Sequence, residues 1–180
     1  LHDALPISQA EHGVDSQAML VTASESIVEP VMQAIREQLD RLPRKEITEK
    51  SLSHSRLIVL KDKQEVIDFT NLYAPEHLII QTTDYADIAG QVENAGSVFM
   101  GPYTPESAGD YASGTNHTLP TNGYAKAYSG VNLDSFIKKI TFQEITADGI
   151  RLLGGTIRTM AANEQLDAHK NAVTIRLNTL

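Results

Sequence analysis

Residues 56–82, RLIVLKDKQEVIDFTNLYAPEHLIIQT, contain the pattern that decides the fold. The apolar run over 56–61 predicts a buried strand, residues 63–73 follow with helical spacing, and residues 77–82 form a second apolar run. A strand, a helix and a strand in this order are typical of two parallel strands joined by a crossover helix. This stretch therefore predicts an α/β protein.

The same alternation extends in both directions from this stretch. Upstream, residues 16–22 predict a strand, residues 26–42 an amphipathic helix and residues 47–52 a second, short helix. Downstream, residues 86–92 predict a helix and residues 97–101 a fourth strand. We therefore expect helices around a mostly parallel sheet.

The rest of the chain does not continue this alternation. Residues 102–130 are rich in Gly, Pro, Ser, Thr, Asn and Tyr, and predict a long loop, which in a compact domain is usually functional. Beyond it, residues 137–145 predict a strand, residues 147–168 one long helix and residues 171–177 a short terminal element. Because this part has few bulky apolar residues for its length, we expect residues 132–180 to form an extended C-terminal arm.

Composition excludes several classes of function. The chain has 180 residues and a net charge of −8, and an acidic surface is a poor partner for nucleic acids or anionic membranes. It contains no cysteine, which excludes disulfides, thiolate zinc sites and cysteine nucleophiles. No apolar run approaches the roughly 20 residues that span a bilayer, and no signal peptide is visible. We expect a cytoplasmic protein.

The first residues differ from the rest of the chain. Residues 1–7, LHDALPI, fit no element well and do not begin with methionine. We expect them to be a non-native leader, and residues 8–131 to belong to the α/β part of the protein.

Two residue pairs in the α/β part are candidates for chemistry. Gln9 and His12 are spaced three apart before Gly13, a helix-stop signal, so that they share one face of a last helical turn. Such a pair can clasp a metal, or it can simply be a polar helix end. Glu76 and His77 lie where a helix gives way to a strand, and could act as acid–base groups or form a solvated loop pair.

Two further pairs lie in the second half of the chain. Asp110 and His117 belong to the Gly-rich stretch over 105–117, and could bind a metal or a substrate, although this stretch carries no phosphate-binding motif and could also be a mobile surface loop. Glu164 and His169 fall near the end of the predicted long helix. A histidine there is commonly a partner of the helix dipole.

Four segments, taken in order, closely resemble the histidinol dehydrogenase family: SQAEHG at 8–13, YAPEHL at 73–78, SAGDYASGTNHTLPT at 107–121 and AHKNAV at 168–173. Their spacing matches too, and the similarity extends from Ser8 to the end. The resemblance implies a partial Rossmann-like, aldehyde-dehydrogenase-like domain. It also implies that the chain is the C-terminal portion of an enzyme that oxidises L-histidinol through histidinaldehyde to L-histidine, with Zn²⁺ and NAD as cofactors.

The resemblance also implies a role for each candidate residue. It makes four of them zinc ligands: Gln9, His12, Asp110 and His169. Glu76 and His77 match the acid–base pair of the family, and His117 and Glu164 match positions that contact the substrate. The implied substrate-binding set is then Gln9, His12, His77, Asp110, His117, Glu164 and His169.

The family further implies a homodimer in which the C-terminal arm completes the partner's site, with no NAD-contacting residue in this chain. Two other functions stay open from the residues themselves. One is a zinc-dependent hydrolase or lyase with Glu76 as the general base. The other is a non-catalytic zinc-binding module.

Overall fold

A computed structural model describes residues 5–180, with side chains from Ile7 onward. The chain divides into two compact units, of which the first ends at Ile137 and the second comprises Lys138–Leu180. The expected mixed α/β architecture with parallel strands is confirmed.

The first unit alternates helices and short strands. Its helices and strands within the described residues are α1 (Leu5–Ala10), β1 (Met19–Thr22), α2 (Val28–Leu39), α3 (Lys45–His54), β2 (Arg56–Val59), α4 (Lys63–Tyr73), β3 (His77–Ile80), α5 (Tyr85–Ala89), β4 (Ser97–Met100) and α6 (Glu106–Tyr111). The described part of this unit also contains 3₁₀ turns at Glu25–Ile27, Tyr124–Lys126 and Leu133–Phe136. Helix α6 lies within the predicted loop over 102–130, so that this loop is shorter than expected.

Helix α4 has clear start and stop signals, and its predicted bounds are confirmed. The side chain of Asp62 caps its first turn by accepting a hydrogen bond of 3.0 Å from the backbone N–H of Glu65. The helix ends at Ala74, whose φ of 54° is left-handed, and Pro75 follows. This end directs the chain into β3, so that Glu76 and His77 lie immediately beyond the turn.

The four strands of the described residues form two separate parallel pairs. β1 pairs with β2, with Met19 opposite Arg56, and β3 pairs with β4, with His77 opposite Ser97. Parallel pairing is confirmed, but the expected single sheet is wrong for the described residues, which contain two two-stranded sheets. Apolar runs and crossover helices predict parallel strands, whereas they do not determine which strands become neighbours.

The second unit is a pair of helices preceded by an extended segment. The helices are α7 (Ala147–Asn163) and α8 (Asp167–Asn178). They pack closely, because a β-carbon on Gly154 would lie 2.7 Å from Leu177 Cδ1. The predicted single helix over 147–168 is wrong, since the chain turns at Gln165, whose φ is 60°.

Two other expectations for this unit also change. The predicted strand over 137–145 is wrong: its backbone runs without regular structure and its residues are exposed. A strand needs a neighbour to pair its N–H and C=O groups, and this segment is paired with no strand in the described part of the chain. The terminal element predicted at 171–177 is part of α8. Among the described helices, none is both long enough and apolar enough to cross a membrane.

Candidate functional site

Three elements of the first unit bring polar side chains together. His12 follows the end of α1, His77 is the first residue of β3, and Glu106 and Asp110 lie one turn apart on α6. One ligand atom from each of His12, Glu106 and Asp110 lies within 4.8 Å of the others. The Oε1 atom of Glu106 is 3.9 Å from His12 Nε2 and 3.7 Å from His77 Nε2. We call these four residues the junction cluster.

Burial within the junction cluster is uneven. The side chain of Glu106 is 4% exposed and that of His77 is 11% exposed, whereas that of His12 is 53% exposed. The cluster therefore extends from the solvent at His12 to an enclosed end at His77.

Two buried side-chain atoms lack a hydrogen-bond partner among the described residues: Gln9 Nε2 on α1 and Glu106 Oε1 on α6. Leaving a buried polar group without a partner costs about 1–3 kcal/mol. A buried polar group without a partner needs an explanation, and one explanation is that it contacts an ion or a ligand when the site is occupied.

The β3–β4 pair holds Glu76 and His77 in place. The backbone oxygen of Glu76 accepts a 2.9 Å hydrogen bond from Ser97 N, and Gly96 is so close that its β-carbon would lie 2.5 Å from that oxygen. The imidazole of His77 stacks on the ring of Phe99, with centroids 6.0 Å apart and an interplanar angle of 28°. The histidine ring is therefore packed on one side while its Nε2 faces Glu106.

The donor set of this region fits a zinc ion. Imidazole and carboxylate groups bind Zn²⁺ at about 2.0–2.2 Å, so that two ligands of one ion lie no more than about 4.4 Å apart. The ligand atoms of His12, Glu106 and Asp110 need only small shifts to reach such spacing. Gln9, whose buried Nε2 atom lacks a hydrogen-bond partner among the described residues, lies on the last turn of α1, three residues before His12.

Five predicted site residues are not members of the junction cluster: Gln9 on α1, Glu76 immediately before β3, and His117, Glu164 and His169. His117 is exposed and lies within a turn in which Asn116 Oδ1 accepts a hydrogen bond from Thr118 N. Glu164 caps the end of α7, and His169 lies in the first turn of α8, both exposed in the second unit. The interpretation of His169 as a partner of a helix C-terminal dipole is wrong, because it stands at the beginning of a helix.

Glu106 is the member of the junction cluster that sequence reasoning missed. The signal was available, since Glu106 and Asp110 are spaced i, i+4 and therefore share one face of a helix. It went unused because a six-residue helix between Gly- and Pro-rich segments carries too little apolar periodicity to separate it from a loop.

Comparisons with known proteins agree on one family. The family description "Histidinol dehydrogenase" matches residues 5–177. The chain is 67% identical over 174 residues to histidinol dehydrogenase of Bacteroides thetaiotaomicron, covering 97% of this chain and 41% of that protein. It is 55% identical over 175 residues to the chloroplastic histidinol dehydrogenase of Arabidopsis thaliana, covering 97% and 38% respectively.

A solved structure shows the same fold. The crystal structure of histidinol dehydrogenase from Elizabethkingia anophelis is 54% identical, with a TM-score of 0.89, and the match covers 96% of this chain and 40% of that one. This chain thus spans about two fifths of the length of the relatives that it matches. Sequence and fold together show that the chain belongs to the histidinol dehydrogenase family.

Proposed function

We propose that this chain provides the metal-binding and acid–base residues of an enzyme that oxidises L-histidinol through histidinaldehyde to L-histidine, the last step of histidine biosynthesis. One observation supports this most directly: a single carboxyl oxygen of Glu106 faces both His12 and His77, at 3.9 and 3.7 Å. A metal-capable group of side chains therefore adjoins an imidazole that can take a proton. The relatives' name, histidinol dehydrogenase, supports the same reaction.

The zinc ligands in this proposal are Gln9, His12, Asp110 and His169. Imidazole nitrogens, a carboxylate oxygen and the amide oxygen of a glutamine are donors that suit Zn²⁺. When bound, zinc would fix the imidazole and amine of the substrate, and NAD would accept a hydride in each oxidation. The NAD contacts in this proposal lie outside this chain.

His77 is the base in this proposal. It takes the proton of the substrate hydroxyl in the first oxidation, and acts again as the base in the second. The Phe99 ring stacks on one face of the imidazole, which keeps the base at one place in the site for both proton transfers. Half-buried Glu76, the preceding residue, activates the water that converts the aldehyde into its hydrate.

We further propose a cytoplasmic homodimer. In it, residues 132–180 form an arm that carries His169 and Glu164 to the partner's site, and His117 and Glu164 contact the substrate. The exposed apolar side chains of Phe142 and Leu152, 91% and 83% exposed, support an arm that packs on another subunit. The two parallel strand pairs belong, in this proposal, to a partial Rossmann-like domain related to that of aldehyde dehydrogenases.

The test uses a chimaera in which this chain replaces the matching 174 residues of the Bacteroides thetaiotaomicron relative. With zinc, L-histidinol and NAD, we expect NADH to form at two equivalents per histidinol, and the His77→Ala chimaera to form none. Zinc-dependent turnover of an ester or amide without NAD would instead favour a hydrolase. Zinc binding without turnover of either kind of substrate would favour a non-catalytic zinc-binding module.

A further inference from the structure

Glu106 has a carboxyl group to which the proposed function assigns no role. Its side chain is 4% exposed, and its Oε1 atom has no hydrogen-bond partner among the described residues. The groups that face this oxygen are the Nε2 atoms of His77 and His12. Since a carboxylate oxygen can accept two hydrogen bonds, this atom is placed to hold both imidazoles.

We propose that Glu106 is a positioning residue for His77, an inference that rests on the proposed function of this site. Glu106 Oε1 accepts a hydrogen from His77 Nε2, which leaves Nδ1 as the ring nitrogen that takes the substrate's proton. The separation of 3.7 Å is longer than a hydrogen bond. Catalytic hydrogen bonds are often long in empty sites and shorten when the substrate binds.

The difference in exposure between the two histidines favours His77 as the partner. The side chain of His77 is 11% exposed and that of His12 is 53% exposed, so that water can satisfy His12 far more readily. The Phe99 ring covers one face of the His77 imidazole. A stacked ring does not hold the nitrogen atoms of the imidazole, so that a polar contact at the edge of the imidazole is needed to fix them. Glu106 is the carboxyl group at that edge.

The backbone supports a fixed position for this carboxyl group. Glu106 is the first residue of α6, and Asp110 lies one turn later on the same helix. Any movement of α6 would therefore shift both residues together: Asp110, the proposed zinc ligand, and Glu106, the residue that positions the base His77. This shared helix explains how one element can align the metal side and the proton-transfer side of the site.

The test compares Glu106→Gln and Glu106→Leu in the chimaera, with the exposed Glu46→Gln as the matched control. We expect Glu106→Leu to lower kcat by about 10- to 100-fold, the usual effect of losing a group that orients a catalytic side chain. Glu106→Gln should lose less, because its amide oxygen can still accept a hydrogen bond. The KM for histidinol and the zinc content should stay unchanged, and Glu46→Gln should match the parent.

Other outcomes would overturn the proposal. Loss of zinc in both Glu106 variants would make Glu106 a metal ligand, and a raised KM at unchanged kcat would make it a substrate contact. An unchanged kcat in Glu106→Leu would show that Glu106 does not contribute to the reaction. Because Glu106→Gln keeps the shape of the side chain, it should fold even if the leucine variant does not.

A second measurement does not depend on turnover. Nitrogen-15 NMR of the histidine rings in the chimaera should show His77 with its hydrogen on Nε2, and this preference should be lost in Glu106→Leu; His77→Gln identifies the signal. If the chimaera fails to oxidise histidinol but the Nε2–H preference depends on Glu106, the proposed function fails and the positioning role stands. An Nδ1–H form of His77 in the parent would overturn the positioning role.

Discussion

Gly109 of α6 lies directly against the ring of Phe99 in β4: a β-carbon on Gly109 would be 2.6 Å from Phe99 Cε1. The same ring stacks on His77. Phe99, which is 4% exposed, therefore contacts both the helix that carries Glu106 and Asp110 and the strand that carries His77. The absence of a side chain at Gly109 sets how closely the two halves of the junction cluster approach.

Gly109→Ala should push α6 away from β4, because the new β-carbon would lie 2.6 Å from the ring of the buried Phe99, closer than such atoms can approach. Overpacking of this kind destabilises by about 1–3 kcal/mol. We expect a lower Tm and weaker zinc binding in the chimaera. Gly90→Ala is the control, since its β-carbon would meet only ordinary contacts at 3.5 Å or more. An unchanged zinc affinity in Gly109→Ala would show that the spacing of α6 does not control the site.

His77→Ala and Asp110→Ala should both abolish histidinol oxidation, but for different reasons. Loss of Asp110 removes one of the proposed zinc ligands and should lower the zinc content after dialysis. Loss of His77 removes the base and should leave zinc bound. Metal analysis of the two purified chimaeras distinguishes them, and equal zinc content would contradict these assignments.

Glu76→Gln should slow the second oxidation more than the first, because only hydration of the aldehyde needs this carboxyl group. Loss of a general base typically lowers a rate by about 100-fold or more. Oxidation of added histidinaldehyde and of histidinol can be followed separately by NADH absorbance. Equal slowing of both half-reactions would mean that Glu76 does not act on water.

Asn71 should stabilise the loop that leads into β4. Its Oδ1 accepts hydrogen bonds from Glu93 N at 2.7 Å and Asn94 N at 3.3 Å, and its Nδ2 donates to Gln91 O at 2.9 Å. Asn71→Ala should destabilise by about 1 kcal/mol or more, since each such bond contributes about 0.5–1.5 kcal/mol.

The control for Asn71→Ala is a variant of another residue on helix α4. Gln64→Ala removes a single exposed hydrogen bond to Asp68 and should change stability far less. Urea unfolding of the two variants gives the comparison. Equal losses would mean that the Asn71 contacts add nothing beyond a surface hydrogen bond.

The ion pairs of Lys63 predict a dependence of stability on pH. Hydrogen bonds to Asp84 and Asp87, each 2.9 Å long, raise the pKa of Lys63, and the contact with Lys63 is the main reason that the pKa of Asp84 is lowered. Because the pKa of Lys63 is raised, its ion pairs stabilise the folded state at pH values below the ordinary lysine pKa. This stabilisation is lost as pH rises through the pKa of Lys63 in the folded state. Because the pKa of Asp84 is lowered, the same ion pair stabilises the folded state at pH values above the ordinary aspartate pKa. This stabilisation is lost as pH falls through the pKa of Asp84 in the folded state.

Lys63→Met should therefore lower Tm slightly near neutral pH, and should match the parent only at pH values well above the ordinary lysine pKa of about 10.5 and in strong acid. The control is Lys50→Met, which removes an exposed lysine of α3. A Tm difference for Lys63→Met that stays constant from acid to alkali would contradict the ion-pair origin. Added salt should shrink the difference, since both partners are exposed.

The sequence predicted those elements of the fold whose start and stop signals lie within the element or next to it. Helix α4 was predicted at its exact bounds because its cap, its periodicity and its terminating Pro75 all lie within the segment. The segment over 137–145 has the composition of a strand, but whether it becomes one depends on a neighbouring strand, which composition does not encode. The division of the strands into two pairs is likewise a property of the tertiary structure.

The candidate site shows the same division between local and tertiary information. His12, His77 and Asp110 were identified as chemically capable from their short motifs and from the family resemblance. Their proximity, and the part of Glu106 in it, required the packing of α6 on β4. A buried carboxyl group without a partner cannot be recognised in a sequence, because burial is decided by distant residues.

The junction cluster also bears on how the first unit folds. Its members come from three places far apart in the chain, after α1, at the start of β3 and on α6, so that the contacts between them close long loops. Contacts of high sequence separation form slowly, because chain entropy is lost before they contribute. We expect affinity for zinc to appear only in the final phase of refolding, so that uptake of the ion would serve as a kinetic marker for arrival at the native state.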